Sequence, residues 1–298
     1  MEDIGVSVLA RLKNKAKASG TSYQQCLQLF FQEEFLRRLS VSPYVNNLVL
    51  KGGLFIYTLT KFESRATVDI DFLMLRLSND LAQMDEIISE IINTSTGNAF
   101  IIFEAKATEP IAQHRKYHGV STQITGKIKN VRVPFTIDIG FDDIIVPKAQ
   151  KRVIHTQLDG YTPPEIMTYS LESTIAEKFD AILQRFELTG RMKDFYDIYY
   201  LANTFDFDGI KLQEAVWQTL QHRGTPYEEG SFVRILSLSE DEGMLVKWKY
   251  FLKTIKASNP SFREVMWQLK TFLEPIFTAI INENEWIKTW DCNISVWK

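Results

Sequence analysis

Between Val131 and Phe141 every second residue is apolar: Val133, Phe135, Ile137, Ile139 and Phe141 recur behind Val131. Successive side chains of a strand leave opposite faces, so this period predicts a strand with one face against a core. The same pattern gathers Thr136, Asp138 and Gly140 on the other face. Such a strand needs partners, and the chain supplies them. Asn47–Leu50, Thr67–Met74, Phe100–Lys106 and Val120–Ile128 all read as strands. Between them, Thr21 and Ser22 are placed to cap a helix with Gln24 and Gln25 three residues on. Tyr23, Leu27, Phe30, Phe31 and Phe35 continue that helix to about Leu39. Leu54–Thr60 and Leu81–Ile92 read as two more. A mixed sheet flanked by helices packs this order most simply.

The texture changes near Pro147. Lys148–Arg152 is basic, and Thr162-Pro163-Pro164 punctuates the chain. Beyond it the sequence is almost wholly helical in pattern: Leu171–Phe186, Lys193–Ala202, Lys211–Gln221 and Phe262–Ile281. The expected class is α+β (α/β), with a sheet domain over 1–155 and a mostly α-helical domain over 156–298. The composition, 45% apolar and 24% charged over 298 residues, suits a globular protein of that size. Cys26 and Cys292 show no metal or redox spacing, no signal peptide is evident, and no run of about 18 apolar residues occurs. A cytoplasmic protein that makes no membrane contact is expected. A net charge of −3 is wrong for a nucleic-acid coat, though it leaves room for a local basic groove.

Chemistry concentrates at Asp69-Ile70-Asp71. On a strand the two carboxylates project together while Val68, Ile70 and Phe72 face the core. Like charges so close need a cation, and hard Mg²⁺ fits carboxylate oxygens best, with Mn²⁺ as the alternative. Asp138 supplies a third acid from a neighbouring strand. Three such acids suit a metal pair that activates an attacking hydroxyl and neutralises a pyrophosphate leaving group. Lys51-Gly52-Gly53 lies between a strand and a helix, where small residues let backbone N–H groups approach a phosphate. An Asp-x-Asp strand and a Gly-Gly turn are each common; their combination in this order is far more specific.

That order resembles the DNA polymerase β-type nucleotidyltransferase fold. Within it, Leu50-Lys51-Gly52-Gly53-Leu54-Phe55 and Arg65-Ala66-Thr67-Val68-Asp69-Ile70-Asp71-Phe72 resemble the AbiEii/AbiGii toxin family. So do the segments from Ala176-Glu177-Lys178 to Arg185 and from Arg191-Met192-Lys193-Asp194 to Leu201. The likeness spans roughly residues 45 to 205. It departs from the wider superfamily at Gly53, where many relatives carry Ser, and in a longer gap from Gly53 to Asp69.

The resemblance implies transfer of a nucleoside monophosphate from an NTP to an acceptor hydroxyl. Asp69, Asp71 and Asp138 would bind metal, and Gly52, Gly53, Lys51 and Arg65 would grip nucleotide. It further implies that Lys178 touches the triphosphate and that Asp194 holds Lys178 or a substrate group, with Asp197 as an orienting acid. The family consists of toxins of toxin–antitoxin pairs, which implies a cognate antitoxin and RNA, tRNA in particular, as acceptor. An antibiotic-modifying nucleotidyltransferase and a catalytically silent nucleotide-binding module are the alternatives. The segment His114-Arg115-Lys116-Tyr117-His118 is basic and aromatic, which suits a solvated loop or an RNA contact.

Overall fold

A computed structural model describes residues 3–111, 119–186 and 191–298. The segment His114–His118 lies outside the described residues. The chain forms two compact units, one of 1–143 with 149–169, the other of 144–148 with 170–298.

The first unit begins with α1 (Ile4–Ser19), capped by Asp3, whose carboxylate accepts the Val6 N–H at 3.3 Å. Its buried stripe of Gly5, Val8, Leu12 and Ala16 is narrow and half small residues, and the sequence reading passes over it. In α2 (Tyr23–Ser40) the expected cap is present as a full capping box between Ser22 and Gln25. This helix is buried all round from Cys26 to Leu39, with Glu33, Glu34, Arg37 and Arg38 inside. Charges there survive because they meet one another. Arg37 bonds Glu34 at 3.0 Å and Glu33 at 3.4 Å, and Arg38 bonds Glu34 at 3.2 Å.

Then come β1 (Leu48–Lys51), α3 (Gly52–Leu59), β2 (Ile70–Met74), α4 (Leu81–Asn93), β3 (Ile102–Ala105), β4 (Glu109–Ile111), β5 (Gly119–Ile128) and β6 (Val131–Gly140). A hairpin of β7 (Gln150–Val153) and β8 (Glu165–Thr168) completes an eight-stranded mixed sheet, ordered β3-β5-β6-β2-β1-β8-β7, with β4 beside β5. The alternation of β6 is as read: Val133, Phe135, Ile137 and Ile139 are buried, while Thr136, Asp138 and Gly140 are half-exposed.

The compact units part at Tyr169 and Ser170 rather than at residue 155. The cause is β8, which pairs parallel with β1 through Leu50 and Thr168, drawing 149–169 into the sheet. Four-residue strands, one basic and one following Pro-Pro, carry too little pattern to be read.

The second unit holds α5 (Leu171–Arg185), α6 (Met192–Ala202), α7 (Gly209–Arg223), α8 (Ser231–Ser237), α9 (Glu242–Thr254) and α10 (Phe262–Ile281). A small antiparallel sheet of β9 (Phe207–Asp208), β10 (Thr289–Asp291) and β11 (Val296–Trp297) packs its tryptophans against Phe272. No helix among the described residues is long and apolar enough to cross a membrane.

Candidate active site

Strand register builds the site. On the parallel pair β2–β6, Asp71 lies directly beside Asp138. On the antiparallel pair β5–β6, Asp138 lies beside Ser121, and on β1–β2, Asp71 lies beside Lys51. Residues in register on neighbouring strands point to the same face, with strands about 4.8 Å apart. Ser121, Asp138, Asp71 and Lys51 therefore form one unbroken polar row across β5, β6, β2 and β1. Behind the row, Ile70, Phe72, Ile137 and Ile139 are fully buried and fix the pleat.

Ser121, Asp138 and Lys51 each have a partner. The Ser121 hydroxyl donates to Asp138 Oδ1 at 2.6 Å. The Lys51 ammonium lies 3.7 Å from Asp143 Oδ2 and 5.1 Å above the Tyr169 ring. Tyr169 is itself pinned by its N–H to the Leu50 carbonyl, at 2.9 Å. Ser121, Asp143 and Tyr169 are absent from the sequence reading. Register and loop closure bring them in, and neither leaves a local pattern.

The two glycines have a structural task that the sequence reading does not contain. Gly52 sits at φ +66°, and a Cβ there would lie 2.7 Å from Asp71 Cγ. A Cβ on Gly53 would lie 2.9 Å from the Thr67 hydroxyl oxygen. Gly52 thus clears the Asp71 carboxylate, and Gly53 clears Thr67 in the approach to β2. The space that a serine side chain would need at position 53 belongs to Thr67. The N-cap residue of α3, Lys51, makes no side-chain cap bond to the first turn.

Asp69 departs from expectation. The strand predicted from Thr67 starts only at Ile70, and Asp69 lies in the preceding bend, half-buried. Val68, expected in the core, is 58% exposed. Its carbonyl accepts from the side-chain amides of Gln28 at 2.6 Å and Gln32 at 2.8 Å, so α2 holds this bend out of the pleat. The strand itself therefore carries Asp71, with Asp69 in the bend just before it. Among the described residues no three acidic, histidine or cysteine side chains are drawn together in metal-holding geometry. What the row offers a cation is two adjacent carboxylates and a hydroxyl-braced oxygen. All are hard oxygen donors, a set that fits Mg²⁺ in chemistry. Arg65, half-buried, lies in the loop between α3 and β2.

Lys178 and Asp194 belong to the second unit. Lys178 on α5 is 9% exposed, beyond the reach of the snorkelling expected of a surface lysine. Its ammonium meets Asp197 at 2.6 Å and Asp194 at 3.3 Å, and the Arg191 guanidinium meets Asp194 at 2.5 Å. The nearer partner is Asp197, the acid given the lesser role in the sequence reading. Asp194 does not cap α6, whose N-cap is Arg191 without a side-chain cap bond.

Solved structures share this architecture. MenT4, a nucleotidyltransferase toxin from Mycobacterium tuberculosis H37Rv, matches with a TM-score of 0.55 at 14% identity, covering 93% of this chain and 99% of its own. A candidate nucleotidyltransferase from H. pylori matches at TM-score 0.50 and 14% identity, covering 89% and 100%. JHP933 from Helicobacter pylori matches at TM-score 0.49 and 15% identity, covering 88% and 95%. No curated protein matches. Fold and family together define a nucleotidyltransferase. The model of the nucleotidyl transferase AbiEii toxin family, from type IV toxin–antitoxin systems, matches residues 34–274, and the chain belongs to that family. Membership brings an NTP as substrate and an antitoxin as counterpart.

Proposed function

We propose that the chain transfers a nucleoside monophosphate from an NTP to a hydroxyl of RNA, with tRNA the favoured acceptor, and that Mg²⁺ serves the reaction. The observation that carries this reading is the in-register row Ser121–Asp138–Asp71–Lys51 beside the uncapped start of α3.

Asp71 and Asp138 would hold the metal, with Asp69 joining from the bend. Bound there, Mg²⁺ supplies positive charge for the triphosphate and for the departing pyrophosphate. The chain's own groups do the rest. The first N–H groups of α3 receive phosphate oxygens, and Gly52 and Gly53 keep that approach clear. Lys51, steadied by Asp143 and Tyr169, places a cation at the end of the row nearest α3. The acceptor oxygen attacks the α-phosphorus, the bond from that phosphorus to the α–β bridging oxygen breaks, and pyrophosphate leaves. Asp138 takes the acceptor's proton on Oδ2, because Ser121 already occupies Oδ1. For Arg65, Lys178 and Asp194, the family resemblance supports contact with or support of the triphosphate. An NTP and tRNA are met together in the cytoplasm, where the reading places the protein.

Purified protein incubated with each labelled NTP, Mg²⁺, total RNA and, separately, an aminoglycoside tests it. Label in a discrete RNA band that disappears with Asp138→Asn supports the reading. Label on the aminoglycoside alone replaces it with the antibiotic-modifying alternative. NTP binding without turnover replaces it with a silent module.

A further inference from the structure

From Gly243 to Arg263 the chain has no acidic residue, although the whole carries 37 acids and a net charge of −3. Its charges there are Lys247, Lys249, Lys253, Lys256 and Arg263. Four of the five fall on α9 or just past its end. Met244, Trp248 and Leu252 form the buried stripe of that helix, and the Trp248 indole N–H donates to the Pro260 carbonyl at 2.8 Å. Val246, Lys249, Tyr250 and Lys253 are spaced at three, four and seven residues, so they share the opposite, outward face.

That face is unusual in two respects. Tyr250 is 75% exposed and Val246 67%, the highest values among the large hydrophobic residues described apart from Ile287. An aromatic ring that finds no core is here ringed by cations. Among the described residues, Lys249, Lys253 and Lys256 pair with no acid, whereas Arg263 is engaged by Glu240 at 2.7 Å. Lysines spaced one turn apart match a polyanion, and a flat exposed ring between them matches an unstacked base. A membrane surface would take the charges but would favour a broader apolar face than one tyrosine and one valine.

We propose that the outer face of α9 is a docking surface for the sugar–phosphate backbone of RNA, with Lys249, Lys253 and Lys256 on phosphates and Tyr250 stacking a base. The proposal rests on the reading of RNA as acceptor, and it gives the helical unit a share in choosing that acceptor.

The test is fluorescence anisotropy of labelled tRNA with the full-length protein, without NTP, over a range of KCl concentrations. Lys249→Gln with Lys253→Gln is expected to weaken binding about tenfold and to lower the slope of log affinity against log salt by roughly 1.5. Tyr250→Ala is expected to weaken binding by about fivefold or more while leaving that slope unchanged. Unchanged melting curves confirm that these surface variants fold. An unaltered affinity and slope in the double lysine variant overturns the proposal. So does a parent protein that ignores tRNA, or one that binds phosphatidylcholine vesicles containing phosphatidylserine in preference to tRNA. Labelling separates the two claims. Lysine-dependent tRNA binding without any label on RNA removes the acceptor reading and keeps the docking face. Normal labelling by a double variant of unchanged affinity removes the docking face alone.

Discussion

Two groups of acids within the sheet unit are built on opposite terms. On α2, Glu33 and Glu34 are wholly buried, and each meets an arginine one helical turn away. The cluster also ties distant chain together: Arg37 donates to the Thr162 carbonyl at 3.0 Å, Asn98 donates to Glu34 at 2.7 Å, and the Gln157 N–H donates to Glu33 at 2.7 Å. On the sheet face, Asp71 and Asp138 are half-exposed, equal in sign and side by side. The first group serves internal order. The second keeps its charge at the surface, where a substrate and a cation can meet it.

The contrast predicts opposite outcomes for substitution. Asp71→Asn or Asp138→Asn should lower nucleotidyl transfer by on the order of 10³-fold, with no loss of melting temperature; initial rates beside a thermal melt check both. A melting loss comparable to that of an α2 variant would make the strand pair structural instead. Arg37→Ala should do the reverse. It removes the cation beside Glu33 and one of two beside Glu34, at a cost of about 3 kcal/mol in a denaturant titration. Gly52→Ala belongs to both sides: a left-handed backbone with no room beside Asp71 should cost about 1–2 kcal/mol and displace that carboxylate, so stability and rate fall together. The last test is in pH. Burial, offset in part by Arg37 and the Gln157 N–H, pushes the Glu33 carboxyl from its ordinary 4.5 up to about 8. The folded state then keeps a proton that the unfolded chain releases. That stabilising contribution is complete below about 4.5 and is lost as pH rises through about 8. Denaturation midpoints tracked from about pH 5 to about pH 9 should therefore decline, and Glu33→Gln should flatten the decline.

How far these two groups are legible in the sequence differs for a physical reason. Asp138 announces itself by period, because alternating burial is written locally into β6, and Asp71 stands out as the one polar residue of an otherwise buried β2. Their adjacency is a matter of register between distant strands, which only the fold supplies. The same holds for Ser121, and for Asp143 behind Lys51. The strand begins one residue after Asp69 because Gln28 and Gln32 hold the preceding bend through the Val68 carbonyl, a contact with no local signature. The α2 cluster is hidden inside a helix whose large apolar residues alone give its period. Long elements such as α5, α7 and α10 are readable from their apolar spacing. The two- and three-residue strands of the small sheet are not, since pairing of Asp208 with Thr289 depends on distant segments brought together by helix packing.

One strand governs where this protein tolerates being shortened. A chain stopped at residue 155 would retain the whole polar row, yet it would lose β8, the strand that shields β1 on its outer side. Leu48–Lys51, apolar but for its last residue, would then stand as a bare sheet margin carrying the glycine turn. Bare margins of this kind recruit strands from other molecules. Clumping of the truncated product, with recovery when the end point is moved beyond Tyr169, is the behaviour to expect.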